Sequence, residues 1–229
     1  LPFDNEFAQM SPDRFVKKVL LETCCAKGVV VGPDFHFGHK RSGNIETLRG
    51  WGARERFSVE LVPPVMHGGE AVSSTRIRRV LREEGDVEDV ARMMTRLHEL
   101  SGVVVRGDQR GREIGFPTAN LEIGPLQLPK DGVYSVFARL LDEPASPLLH
   151  GVANLGVRPT FGAGRSLEVH LFGFDGELYG KRMRIGFASR IRGEAKFDGL
   201  AALQRQIEQD CDQAKNALQQ TRPELARWI

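Results

Sequence analysis

Three cysteines are too few and too poorly spaced to form a disulfide framework: Cys24 and Cys25 are adjacent and Cys211 stands alone. That usage fits a reducing compartment, and with no secretory leader visible a cytoplasmic location is expected. No apolar run approaches the ~18 residues that a membrane-spanning helix requires, so a membrane partner is not expected. The net charge is only +2 over 229 residues, and aromatic residues make up 7%. A nucleic-acid surface would want a basic groove with exposed aromatics for stacking, so nucleic acid is not expected as a partner either. Internal repeats and low-complexity stretches are also missing. There is no initiator methionine: the chain opens Leu1-Pro2-Phe3-Asp4, which reads like the inside of a domain and predicts a missing segment before it.

What is present is an ordinary globular composition, 41% hydrophobic and 27% charged, long enough for two modest domains. Residues 1–96 alternate helix-like and strand-like segments. Ser11-Pro12 caps a helix with Phe15, Val16, Val19 and Leu20 on one face; Val29-Val30-Val31-Gly32 reads as a buried parallel strand, and 57–62 as a second. Ser73 or Ser74 starts a further helix that Gly85 ends, and a short one follows over 86–94. This is half of a doubly wound α/β sheet. From about residue 97 the pattern turns all-β, with strands predicted at 102–107, 132–140, 149–155, 167–172 and 178–187. Asp175-Gly176 is read as a hairpin turn between the last two. An amphipathic helix over 198–219 closes a small antiparallel barrel or sandwich.

The densest chemical signal is Gly107-Asp108-Gln109-Arg110-Gly111-Arg112-Glu113-Ile114-Gly115-Phe116-Pro117-Thr118-Ala119-Asn120. Glycines let backbone N–H groups approach phosphate oxygens, and guanidinium forks offset their charge. Thr118 and Asn120 offer the hard oxygen donors that Mg²⁺ favours. Taken alone, a Gly/Arg loop between strands is more often a solvated hairpin, but a plain hairpin has no use for Gly-Phe-Pro-Thr-Ala-Asn.

That stretch resembles the signature of riboflavin kinases. The resemblance runs on in order through Asp131-Gly132-Val133-Tyr134 and Gly151-Val152-Ala153-Asn154-Leu155-Gly156-Val157-Arg158-Pro159-Thr160-Phe161. Leu167-Glu168-Val169-His170-Leu171-Phe172, Leu178-Tyr179-Gly180-Lys181 and Ile191-Arg192-Gly193-Glu194-Ala195-Lys196-Phe197 continue it. It implies a Greek-key β-barrel with a C-terminal helix that phosphorylates riboflavin to FMN with ATP and Mg²⁺. Gly107, Arg110, Gly111, Arg112, Gly115 and Thr118 would embrace ATP, and Thr118 and Asn120 would hold the metal. Glu168 falls where the family places its catalytic base; read without the family, it is more often a half-exposed strand glutamate paired with a neighbouring arginine. Asn154, Arg158, Thr160 and Phe161 are read as lining the flavin or nucleotide pocket. His170 is given no role.

Upstream, Gly32-Pro33-Asp34-Phe35-His36-Phe37-Gly38-His39 and Val72-Ser73-Ser74-Thr75-Arg76 resemble two blocks of the FMN adenylyltransferase module of bacterial bifunctional FAD synthetases, a truncated Rossmann-like nucleotidylyltransferase fold here. Asp34, Phe35 and Phe37 would face flavin, and Ser73, Ser74, Thr75 and Arg76 would hold ATP phosphates at a helix N-terminus. His36-Phe37-Gly38-His39 has the His-x-Gly-His form of nucleotidylyltransferases but lies too deep in the module, so it is read as a coincidence. The resemblance therefore predicts an adenylyltransferase module over 1–96 lacking its beginning, a kinase over 97–229, and a chain that makes FMN but little or no FAD. A fully bifunctional enzyme and a non-catalytic flavin-binding barrel are the competing readings. Small molecules are the expected partners, and a homo-oligomer is compatible with the sequence. The junction departs from the family: Thr95 stands for a glycine and Leu97 for a proline.

Overall fold

A computed structural model describes residues 1–107, 110–143, 145–157 and 165–229. The chain forms two compact units, Leu1–Val72 and Ser73–Ile229.

In the first unit α1 (Asn5–Ala8) is capped by Asp4. Ser11 Oγ accepts from the Arg14 N–H at 3.3 Å to open α2 (Pro12–Arg14), which runs on as a π-helical stretch Phe15–Thr23. Strand β1 (Gly28–Val31) leads to α3 (Ile45–Glu55), which Asn44 and Thr47 start with a reciprocal capping box. Strand β2 (Ser58–Leu61) then pairs parallel with β1, Val29 opposite Val59. A helix between two parallel strands is the β-α-β element that the α/β reading predicts. Val16, Val31, Phe37, Leu48, Trp51 and Phe57 form its core. The short strands β3 (Met66–His67) and β4 (Glu70–Ala71) turn on Gly68 and Gly69, both at positive φ.

The second unit begins with α4 (Ser74–Arg79), continued as a π-helical turn Val80–Glu84 that ends at Gly85, φ 73°. Helix α5 (Val87–Met94) follows, its cap Asp86 accepting from the Asp89 N–H at 2.8 Å. The expected cap at Ser73 and stop at Gly85 are therefore present. This helical pair belongs to the same compact unit as the barrel: the Lys130 N–H donates to Leu81 O at 2.9 Å, and Lys130 Nζ to Glu83 O at 2.7 Å. Ala91 packs in one apolar cluster with Leu97, Phe137, Ala188 and Leu218.

Thr95, where the family resemblance has glycine, caps α5 at φ 56° and ψ 23°. A β-branched residue is strained in that left-handed region. Thr95→Gly should therefore raise stability by about 1 kcal/mol, or roughly 2–4 °C in melting temperature for a chain of this size. A thermal melt at fixed pH checks it; an unchanged or lower midpoint would show that the threonine side chain is compensated.

Six strands then close a barrel: β5 (His98–Val105), β6 (Ala119–Ile123), β7 (Gly132–Leu140), β8 (Leu149–Val157), β9 (Arg165–Leu171) and β10 (Arg182–Arg192). The short helix α6 (Arg110–Glu113) lies between β5 and β6, and α7 (Leu200–Gln220) follows the last strand. The closed order is β10-β5-β6-β9-β8-β7, with every pairing antiparallel. Strands β7, β8 and β9 form a meander and β10 returns beside β7, which is a Greek key. Two sequence expectations are corrected here. Strand β6 was not predicted, because its first two residues, Ala119 and Asn120, are also the end of the Pro-Thr-Ala-Asn motif. Asp175-Gly176 does not join a hairpin: β9 pairs with β6 and β8, while β10 pairs with β5 and β7. Residues 172–181 instead cross the barrel end, with the Gly180 N–H donating to Val104 O at 2.8 Å.

The interior holds Leu100, Val104, Leu121, Val136, Leu155, Leu167, Val169, Met183, Ile185 and Phe187, each at most 3% exposed. Strand β7 is covered on its other side by α7, where Cys211 and Ala214 pack on Val133 and Val152. Burial pushes the Cys211 thiol up to about 11. At the barrel end the His98 Nε2 lies 2.9 Å from Gln127 O, and the ring packs near Phe187. Burial holds the His98 pKa below 6.5, with Arg96 pulling it down further and the Gln127 carbonyl opposing. Below pH 6.5 the unfolded chain therefore takes up the proton first. The stability that neutral His98 supplies is fully present above pH 6.5 and is lost as pH falls through the folded value. Urea midpoints at pH 7.5 and 5.5 should fall further in the wild type than in His98→Gln, whose amide keeps the donor.

Candidate functional site

Sheet register assembles the site. Glu168 on β9 stands opposite Asn120 on β6 on one side and Asn154 on β8 on the other. Their flanking neighbours Ala119, Leu121, Leu167, Val169, Ala153 and Leu155 are buried in the barrel. By strand alternation the row Asn120–Glu168–Asn154 therefore faces out of the barrel wall. Asn120 and Asn154 lie far from Glu168 in sequence, and the barrel topology brings the three side by side.

A cavity of about 380 Å³ opens over that wall. Gly111, Ile114, Phe116 and Thr118 form one side, while Asn154, Glu168 and His170 form its floor. Val133, Val152, Phe197, Leu203 and Ile207 make the rest mainly apolar, with Arg192 and Asp210 at that side. The lining thus combines hydroxyl, amide and carboxylate groups with an apolar part.

The glycines are where the loop closes tightly. A Cβ on Gly107 would fall 2.3 Å from the Asn120 amide nitrogen, and one on Gly111 would fall 2.3 Å from Phe116 O and 3.3 Å from Thr118 Oγ1. The Phe116 N–H also donates to Gly111 O at 2.8 Å, so α6 and the Pro-Thr segment are held against each other. Asn120 itself is only 6% exposed. Gly115 has φ 87° and turns the chain out of α6.

On the α7 side, Arg192 grips Asp210 with Nε at 3.0 Å from Oδ1 and Nη2 at 2.8 Å from Oδ2. Gln206 adds a donor to Asp210 Oδ1 at 3.0 Å, and the Arg192 guanidinium lies 5.5 Å from the Phe197 ring centre. The fork joins β10 to α7 beside the cavity.

The structure brings together four of the expected residues, Gly111, Thr118, Asn154 and Glu168, in one cavity lining, with Asn120 beside them. Arg110 opens α6, and Arg112 is exposed. Arg158, Thr160 and Phe161 lie outside the described residues. Ser73 Oγ caps α4 by accepting from the Arg76 N–H at 3.2 Å, and Ser74 and Thr75 are exposed in its first turn. In the first unit Phe37 is buried in the core and stacks on Phe35 at 5.4 Å, while Asp34 is exposed. His39 sits in a 3-10 turn, and Asn44 rather than either histidine opens α3.

Sequence reasoning missed His170, Arg192 and Asp210. Strand alternation did put His170 on the Glu168 face; its partner, the Pro117 carbonyl at 2.9 Å from Nδ1, lies 53 residues away. Asp210 lies on the helix predicted to close the barrel, and an acidic residue facing inward there was the available signal.

Comparison with known proteins places the chain among relatives. Residues 94–218 match the riboflavin kinase family model and residues 1–76 the FAD synthetase family model. The bifunctional riboflavin kinase/FMN adenylyltransferase of Haemophilus influenzae is 37% identical over 214 residues, covering 93% of this chain and 68% of that protein. Its counterpart in Pseudomonas fluorescens is 36% identical over 94% of this chain and 68% of its own length. That of Escherichia coli K12 is 35% identical over 96% and 70%. A solved structure described as a macrolide-efflux protein from Streptococcus pneumoniae superposes with a TM-score of 0.82 at 31% identity, covering 94% of this chain and 68% of that one.

Proposed function

The chain belongs to the bifunctional riboflavin kinase/FMN adenylyltransferase family, and we propose that its kinase reaction runs in the cavity between the β6–β9–β8 wall and α7. Its substrates are riboflavin and ATP, and its product is FMN. The observation that carries the placement is the single row Asn120–Glu168–Asn154, set across three hydrogen-bonded strands under the Gly111–Thr118 loop.

Phosphoryl transfer asks a protein mainly for positioning and charge neutralisation, plus an acceptor for the hydroxyl proton. Glu168 is that acceptor: fixed on a paired strand, its carboxylate takes the proton of the ribityl 5′-hydroxyl. That oxygen bonds to the γ-phosphorus of ATP as the bond to the β,γ-bridging oxygen breaks, and ADP leaves. The Gly107–Gly115 segment, with Arg110 and Arg112, carries the polyphosphate. The apolar part, Val133, Val152, Phe197 and Leu203, suits the flat isoalloxazine ring, with Asn154 giving polar contact at its edge. Arg158, Thr160 and Phe161 complete this reading as flavin contacts.

The donors also fit Mg²⁺. Thr118 hydroxyl and Asn120 amide are hard oxygens beside the Glu168 carboxylate. No group of three or more His, Cys, Asp or Glu able to hold a metal exists among the described residues. A cation here would complete its shell from phosphate oxygens and water, as Mg²⁺ does. Bound there, it supplies charge neutralisation to the β- and γ-phosphate oxygens.

Asp34, Phe35 and Phe37 in the first unit, and Ser73 to Arg76 at the start of the second, are assigned to the adenylyltransferase activity of the family as flavin and phosphate contacts respectively. The cysteine usage supports a cytoplasmic setting, and among the described residues no helix is long and apolar enough to cross a membrane. Incubation with riboflavin, ATP and Mg²⁺, followed by chromatographic separation of the flavins, tests the kinase: FMN should accumulate with time. Folded protein that forms none would leave a flavin-binding barrel without catalysis.

A further inference from the structure

We propose that His170 is the positioning residue of the phosphate loop: its Nδ1–H holds the Pro117 carbonyl and so fixes the direction in which Thr118 meets the nucleotide. The proposal rests on the kinase reading for what the loop holds, and on geometry alone for the clamp.

His170 lies two residues beyond Glu168 on β9, on the same outer face of the barrel, and lines the same cavity. Its Nδ1 is 2.9 Å from Pro117 O. A carbonyl only accepts, so the ring nitrogen is the donor and the neutral ring carries its proton there. The ring is held in place edge-on by Phe116 at 5.6 Å and by Phe172 at 5.9 Å. Proline has no N–H, so this carbonyl is the one backbone group through which the loop can be gripped at residue 117. The peptide that follows is trans and planar. Holding the Pro117 C=O toward His170 therefore turns the Thr118 N–H to the opposite side, and fixes the start of the Thr118 side chain with it.

From the other flank Gly111 presses on the same segment, its Cα close under Phe116 O and its carbonyl taking the Phe116 N–H. The loop thus sits between a glycine that leaves no room and a histidine that supplies a bond. The strand that carries the proton acceptor also aims the phosphate donor, two residues apart. Loss of the bond would let the Pro117–Thr118 peptide rotate without disturbing Glu168.

His170→Phe keeps the ring and removes the donor, while His170→Asn restores a donor near the Nδ1 position. Two readouts apply to both. In hydrogen exchange, which needs no substrate, the Phe116 amide should exchange about tenfold faster in His170→Phe, the upper range of one neutral hydrogen bond, and recover most of its protection in His170→Asn. In steady-state kinetics, KM for MgATP should rise by a similar factor in His170→Phe with KM for riboflavin unchanged, and fall back in His170→Asn. An unchanged Phe116 exchange rate overturns the clamp. So does a loss spread over both substrates, with a lowered melting temperature and no recovery in His170→Asn, since that marks general destabilisation. Wild-type protein that forms no FMN sinks the kinase reading instead, and the exchange rates still decide the clamp.

Discussion

Glu168→Gln should lower kcat by about 10²- to 10⁴-fold, the range that a positioned proton acceptor contributes. The substitution keeps the size and planarity of the side chain and removes its basicity. The strand pairings that hold it, to Asn120 on one side and Asn154 on the other, run through the backbone and are untouched. Riboflavin binding, followed by quenching of flavin fluorescence, should stay within a few-fold of wild type, and the melting temperature should hardly move. Loss confined to kcat marks an interaction made in the transition state. A variant that turns over within tenfold of wild type would return Glu168 to the rank of an ordinary strand glutamate and leave the proton acceptor to another group.

The second large effect is on stability. Asp210→Ala should destabilise the barrel unit by about 3 kcal/mol, the lower end for removing one partner of a buried pair. Asp210 is 3% exposed, and its carboxylate takes three contacts from the Arg192 fork and one from Gln206. Without it the Arg192 charge remains in a half-buried place, left with the Gly193 carbonyl, 2.9 Å from Nη1, and the Phe197 ring. The loss should appear as a shift in urea midpoint with little change in slope. The double replacement Arg192→Met with Asp210→Leu should recover much of it, because two apolar groups leave no orphaned charge. A single variant as stable as wild type would mean that the fork contributes nothing net and that packing by Cys211, Ala214 and Leu218 alone holds α7 down.

The sequence made legible what depends on near neighbours. The caps at Ser11 and Ser73, the stop at Gly85 and the bounds of β7 follow from local rules, and the structure has them. Strand β6 escaped because a chemical motif runs into it: Ala119 and Asn120 belong to both, and the glycines and proline just before them read as loop. The Asp175-Gly176 turn misled for the converse reason: two strands next to each other in sequence are parted in space by the return of a Greek key, which no dipeptide encodes. Among the residues proposed for the site, Thr118, Asn120 and Glu168 were named through family motifs. His170 and Asp210 were not, because a histidine on a strand and an aspartate on a helix acquire meaning only from Pro117 and Arg192, which the fold brings to them from elsewhere.

The helical pair over 74–94 bears on how such chains can exchange parts. The change from α/β to all-β signals comes near residue 97, yet Lys130 is bonded to Leu81 and Glu83, and Ala91 is packed with Leu97, Phe137 and Ala188. A genetic crossover between two relatives at residue 97 would therefore give a barrel of one parent a cover of the other, mismatched at that apolar seam. A crossover near residue 72 would transfer barrel and cover together. Viable hybrids should thus be found with their joints before Ser73, and a selection from a library of random crossovers would reveal that bias as a depletion between 74 and 97.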